Sequence, residues 1–162
     1  ADSWQPHELR IFKRRKSLFV IKPGAQHGIH CRFGMRSVIA EAHWDGSNNF
    51  VAQLGGLRRW ILSNPTNCEN MYIFKKGHPS GRHSSVDWSS PDLTKYPLFE
   101  GVRANEFIAQ PGDVLFVPTN WVHHITSLNI NYQCNARSGV THRNARVVDK
   151  CYLEAERGTA GG

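Results

Sequence analysis

An all-β fold is what this sequence predicts, and two observations carry the prediction. Val, Ile, Phe, Trp and Thr gather in short runs, each closed by Gly, Pro or Asn, the pattern of strands joined by turns. No run approaches the ~20 apolar residues of a membrane-spanning helix. At 162 residues with 40% hydrophobic side chains and five Trp, the chain is sized for one domain. Such a domain buries roughly 70% of the surface its unfolded form exposes. There is no internal repeat and no low-complexity segment.

Residues 6–16 suit a short helix with Pro6 at its first turn. SLFVIK at 17–22 reads as a buried strand ended by Pro23 and Gly24. Residues 25–34 are ambiguous, and His27 and His30 read there as ordinary surface or packing residues. The stretch 37–62, SVIAEAHWDGSNNFVAQLGGLRRWIL, organises the rest. It begins as a strand carrying His43 and Asp45, whose side chains share one face because alternate residues of a strand do. A hairpin turning at Gly55 and Gly56 then puts Asn49, Val51, Gln53, Arg58, Trp60 and Leu62 on one face. Phe50, Ala52, Leu54, Leu57, Arg59 and Ile61 take the other. The mixed polar face is aimed at a binding cavity, and the more apolar one packs against an outer layer.

Residues 63–102 are rich in turn signals and read as a long insertion or lid, with one short strand at 71–74. Strands follow at 103–109 and 112–117, joined by the turn 110–113, and then at 121–128 and 131–135. Val147, Val148, Cys151, Tyr152 and Ala155, at near-helical spacing, predict an amphipathic helix over 142–157, followed by a frayed TAGG end.

The net charge of +7 is densest in RIFKRRK, which runs from Arg10 to Lys16 and could engage an acidic partner. A solvated face beside a strand is the plainer reading of that run. No aromatic stacking motif accompanies it, so nucleic acid is not the expected partner. Cys31, Cys68, Cys134 and Cys151 are irregularly spaced and form no CxxC pair, so four free thiols are expected. The first residues lack the basic start and apolar run of a secretory signal. An intracellular compartment (cytoplasm, nucleus or organelle) is therefore expected.

Chemistry enters with His43 and Asp45, an imidazole and a carboxylate able to take two positions on one metal. A third donor is offered downstream by His123 or His124, in QPGDVLFVPTNWVHHITSL. Neighbours on a strand face opposite ways, so periodicity leaves open which of the two points inward. Two imidazoles and one carboxylate on one face of a metal make the facial triad of non-haem Fe(II) oxygenases, with open positions for a co-substrate and dioxygen. Each His alone reads as a hydrogen-bonded core residue. It is the ordered set of His-x-Asp, Gly-Gly and PGDVLFVP…W-x-His that points to metal chemistry.

Those residues resemble the JmjC and cupin-like Fe(II)/2-oxoglutarate oxygenases. Within that family the pattern looks most like the asparaginyl hydroxylase branch that inhibits hypoxia-inducible factor. The similarity runs from about Gly34 to Asn135 and includes AHWDGSNNFVAQLGGLRRWIL, SSVDWSSPDLTKYPLFEGV and PGDVLFVPTNWVHHITSL. It implies a double-stranded β-helix, the cupin or jelly-roll barrel, with short flanking helices. The implied organisation is a basic segment and first strand at 1–33, the barrel at 34–140 and a helix with its tail at 141–162. By motif position the resemblance assigns Fe(II) to His43, Asp45 and His123, and 2-oxoglutarate to a pocket with Arg58, Asn49 and Asn135; His124 then faces away. It also implies a protein substrate or protein partner. Two positions depart from the family pattern: Arg58 stands where Lys is usual, and Ala40 where a Thr helps hold the distal carboxylate. The second reading that follows is an inactive cupin-fold subunit with a structural or binding role in a larger assembly.

Overall fold

The computed structural model describes residue 24 and residues 26–157, without the side chains of residues 26, 27, 150 and 152–157. The helix expected at 6–16, the strand at 17–22 and the basic run from Arg10 to Lys16 lie outside the described residues. The described residues form eight strands: β1 (Gln26–Gly34), β2 (Ile39–His43), β3 (Asn49–Gly55), β4 (Arg58–Ser63), β5 (Ala104–Ala109), β6 (Val114–Val117), β7 (Val122–Ser127) and β8 (Asn131–Ser138). An α-helix, α1 (His142–Arg157), follows them. The strands form two four-stranded antiparallel sheets, ordered β1-β8-β3-β6 and β2-β7-β4-β5. This is the jelly-roll barrel.

The two inner faces meet over Val51, Trp60, Leu62, Ala109, Val117 and Ile125. Burying side chains of this size contributes roughly 1.5–3 kcal/mol for each large one. The period-2 reading of residues 49–62 is correct about faces, since Asn49, Val51, Gln53, Arg58, Trp60 and Leu62 are all buried. It is wrong about pairing. β3 pairs with β6 and β8, whereas β4 pairs with β5 and β7. No hairpin forms: Gly56 and Leu57 carry the chain from one sheet across to the other. Gly56 sits at φ +66, and a Cβ there would lie 2.1 Å from the Ile130 carbonyl oxygen. The glycine therefore serves a tight crossing against the β7–β8 connection.

Residues 64–102 form a packed layer. Asn64 caps a 3-10 helix (Pro65–Met71), its side chain accepting from the Thr66 amide at 3.0 Å. Met71, Val86 and Trp88 bury against Ala42 and Val122 on the outer face of the second sheet. The strand expected at 71–74 is absent; Tyr72 turns left-handed at φ 50, and Ile73 makes an isolated bridge to Ser84. Among the described residues, no helix is long and apolar enough to cross a membrane.

The cysteines correct another expectation, because no free thiol remains. Cys31 and Cys134 face each other in the β1–β8 register, with Cα atoms 4.0 Å apart, and are joined. Cys68 and Cys151 join the 3-10 helix to α1, with Cα atoms 6.1 Å apart. Spacing along the chain does not reveal such pairs; strand register and helix docking create them.

Replacing Gly56 with Ala should destabilise the domain by about 1–3 kcal/mol, because a left-handed φ and a backbone clash coincide there. Urea unfolding measures it, and an unchanged midpoint would show that the crossing relaxes freely.

Candidate metal centre

β2 ends at His43, and β7 lies beside it with His123 in direct register. The two rings stand 4.4 Å apart, centroid to centroid. Each imidazole is oriented by its own backbone. Nδ1 of His43 lies 2.6 Å from the Glu41 carbonyl oxygen, and Nδ1 of His123 lies 2.9 Å from that of Trp121. A carbonyl oxygen can only accept, so both Nδ1 atoms carry the proton and both Nε2 lone pairs are left for a metal. Burial lowers the His123 pKa from the ordinary 6.5 to about 4, and the neighbouring His43 adds to the effect. Burial also lowers that of His43. Neutral imidazole is the ligating form.

Asp45 is not on the strand, as the sequence suggests, but in the loop that follows it. Its carboxylate is nevertheless turned inward and buried. The loop is held in place by the Asn120 amide donating to the Asp45 carbonyl at 2.9 Å. Nearby, Asn48 Oδ1 accepts from the Thr119 amide, the Thr119 hydroxyl and the Thr141 hydroxyl at 2.9–3.0 Å. One ligand atom from each of His43, Asp45 and His123 can be chosen so that all three lie within 4.8 Å of one another. Two ring nitrogens and a carboxylate so converged could hold a divalent transition metal. His124 faces the other way, fully buried, with Nε2 3.3 Å from the Ser89 hydroxyl. Its pKa is lowered, chiefly by burial.

Asn49 and Asn135 are buried side by side, the Asn135 amide donating to Asn49 Oδ1 at 3.2 Å. Arg58, only 6% exposed, donates through Nε to Asn131 Oδ1. Its guanidinium borders a cavity of about 250 Å³ that Ala40, Ile125 and Ser127 also line. Two residues missed by the sequence reading belong to this region. Arg32 lines the same cavity and donates to Asn135 Oδ1 at 2.8 Å. Arg137 donates to Asp45 Oδ2 at 2.7 Å, and that oxygen is also the one 4.0 Å from His123 Nε2. Parity would have found both, had β1 been recognised and β8 been drawn as far as Ser138.

Comparison with known proteins places this geometry in a family. The cupin-like domain matches residues 7–141. The chain belongs to the cupin-like domain family. Relatives of this cupin-like domain include mouse tRNA wybutosine-synthesizing protein 5, 41% identical over 86 residues, which are 52% of this chain and 25% of that protein. Lysine-specific demethylase 8 of Xenopus tropicalis is 33% identical over 104 residues, 64% of this chain and 23% of that protein. The JmjC domain-containing protein D of Dictyostelium discoideum is 28% identical over 104 residues, with the same coverage. The matched region thus spans about a quarter of these relatives. They support the cupin-like and JmjC grouping; the narrower likeness to the asparaginyl hydroxylase branch is not supported by them.

Asp45→Ala should abolish divalent-metal binding, read by competition with a chromophoric chelator. Arg137→Gln should raise metal affinity by about tenfold, because it removes a cation from the oxygen that faces the two imidazoles. Weaker binding instead would make Arg137 a residue that orients the carboxylate. For the metal-free domain, the depressed His123 pKa means the unfolded chain takes up protons first as pH falls. Stability should be flat above pH 6.5 and decline from there toward about 4, which thermal melts across that range would show.

Proposed function

We propose that this cupin-like domain is an Fe(II)/2-oxoglutarate-dependent oxygenase that hydroxylates or demethylates a protein side chain. The observation that carries the reading is the pair of Nδ1-anchored imidazoles converging with a buried carboxylate, beside a cavity bordered by a buried guanidinium. In this reading His43, Asp45 and His123 hold the iron. Arg58 pairs with the distal carboxylate of 2-oxoglutarate through parallel N–H bonds, and Asn49 and Asn135 supply polar contacts. When bound, the iron and co-substrate together supply an oxidant made from dioxygen that can attack a C–H bond. The domain's own contribution is to keep both imidazoles neutral and aimed, and to wall the co-substrate with Ala40 and Ile125 so that water is excluded. Because the printed names of the relatives span tRNA modification and lysine demethylation, tRNA belongs in the substrate screen beside peptides.

A second reading, an inactive subunit that binds or braces a partner, is favoured by one specific observation. Arg137 already neutralises Asp45 at 2.7 Å, and Arg82 approaches the same carboxylate to 3.8 Å. A built-in cation of this kind lets the fold stand without a metal.

Anaerobic titration of the Fe(II)-loaded domain with 2-oxoglutarate separates the two. A saturable metal-to-ligand charge-transfer band supports the oxygenase; iron uptake without a band, or no uptake at all, supports the binding subunit. Arg58→Lys should keep or strengthen the band, since a point cation still meets the carboxylate. Its loss would mean that Arg58 does not anchor the co-substrate.

A further inference from the structure

The outer faces of the two sheets are built differently. On the second sheet, residues 64–102 cover the apolar part, with Met71 and Trp88 packed against Ala42 and Val122. Where that sheet is open to water, Arg59 pairs with Glu106 at 2.7 Å. This is the usual division of an antiparallel sheet, apolar toward a packed layer and polar toward solvent.

The first sheet does the reverse. Its inner face carries Asn49, Gln53, Gln133 and Asn135, all buried. Residues directly opposite each other in a ladder share a face. Phe50 stands opposite Phe116 and Ala136, and Ala52 opposite Val114 and Cys134, all on the outer side. Ile29 and Phe33 of β1 extend the row, and the Phe33 ring stacks on Tyr132 with centroids 5.8 Å apart. None of these positions is charged. Yet Phe33 is 83% exposed, and Ile29 and Val114 are each 50% exposed. An apolar face that crosses four strands marks a place where something docks.

The choice of occupant follows from connection, reach and area. The helix α1 is committed elsewhere, since Cys151 ties it to Cys68 in the layer over the second sheet. A second copy fits poorly. Four strands by about five residues outline roughly 300 Å², well under half of the ~800 Å² that each partner of a stable pair buries. Residues 17–22, SLFVIK, lie outside the described residues and fit well. They lead through Pro23 and Gly24 into β1, the edge strand of this same sheet. Six extended residues reach about 20 Å, against roughly 14 Å from β1 across to β6. Leu18 and Val20 share one parity, Phe19 and Ile21 the other, so either side of the run can turn an apolar pair to the sheet. The cations of the run from Arg10 to Lys16 begin where the apolar residues stop, which leaves them in water past the margin of the face.

We propose that residues 17–22 fold back over the outer face of the first sheet and shield it from water. Nothing in this depends on the chemistry of the metal centre.

Photo-cross-linking of the whole chain, with p-benzoylphenylalanine in place of Phe19, tests the proposal. The link should form within one chain and fall on β3, β6 or β8. Chymotrypsin cleavage after Leu18 and Phe19 gives a second readout. Val114→Asp, half exposed on an edge strand, should speed that cleavage at least about tenfold by placing a charge under the run. No link, a link to any other element, or equal cleavage of the parent and Val114→Asp would each overturn the proposal. A link between two chains would overturn it too, and would make a second copy the occupant. Circular dichroism and a thermal melt check that Val114→Asp keeps its fold; should it not, the cross-link decides alone.

Discussion

The antiparallel pairing of β2 with β7 is the constraint on which the rest of the centre depends. It sets His43 opposite His123 and brings their rings to 4.4 Å, a distance neither loop could hold against thermal motion. Everything else refines that placement. The carbonyls of Glu41 and Trp121 take the Nδ1 protons, so the strands that position the rings also choose their tautomer. Asp45, on a loop, needs outside help, and Asn48 and Asn120 provide it by tying the loop to the turn before β7 and to the residues before α1. The centre is rigid where the sheet makes it and braced by hydrogen bonds where the sheet ends.

Much of this was legible in the sequence, for a reason that also shows where legibility stops. Strand alternation is local, so the inner face of 49–62 could be read from those residues alone. Which strand lies next to which is not local. Gly55-Gly56 serves a hairpin turn and a sheet-to-sheet crossing equally well, and the hairpin was the wrong choice between them. The cysteines fail for the same reason, since Cys31 and Cys134 meet only through the β1–β8 register. At 71–74 the apolar run MYIF suggests a strand, yet Met71, Tyr72 and Ile73 pack into the cluster against the second sheet. Arg32 escaped notice because 25–34 reads ambiguously, and Arg137 because it lies just beyond the strand limit that the pattern suggested.

Positive charge is the unusual property of this barrel. Arg137 pairs with the carboxylate that a metal would use, while buried Arg58 has an amide oxygen, not an acid, as its partner among the described residues. Burying the Arg58 guanidinium in a low-dielectric interior raises the energy of the empty protein. Metal and anion therefore meet opposite conditions. A cation arriving at Asp45 must displace or tolerate a guanidinium, whereas an anion arriving at Arg58 is drawn in.

The two disulfides tie the barrel at separate places, one across the wall that carries Arg32 and one between α1 and the layer over the second sheet. Such links persist in oxidising surroundings, which suit the cytosol and nucleus poorly. The proposed oxygenase reading, with ferrous iron, asks the opposite of its environment. A thiol reductant would exchange with both links and leave the β1–β8 register to hold that wall by itself. A reductant without sulfur would spare them, so the same domain can be intact or loosened according to which electron donor surrounds it.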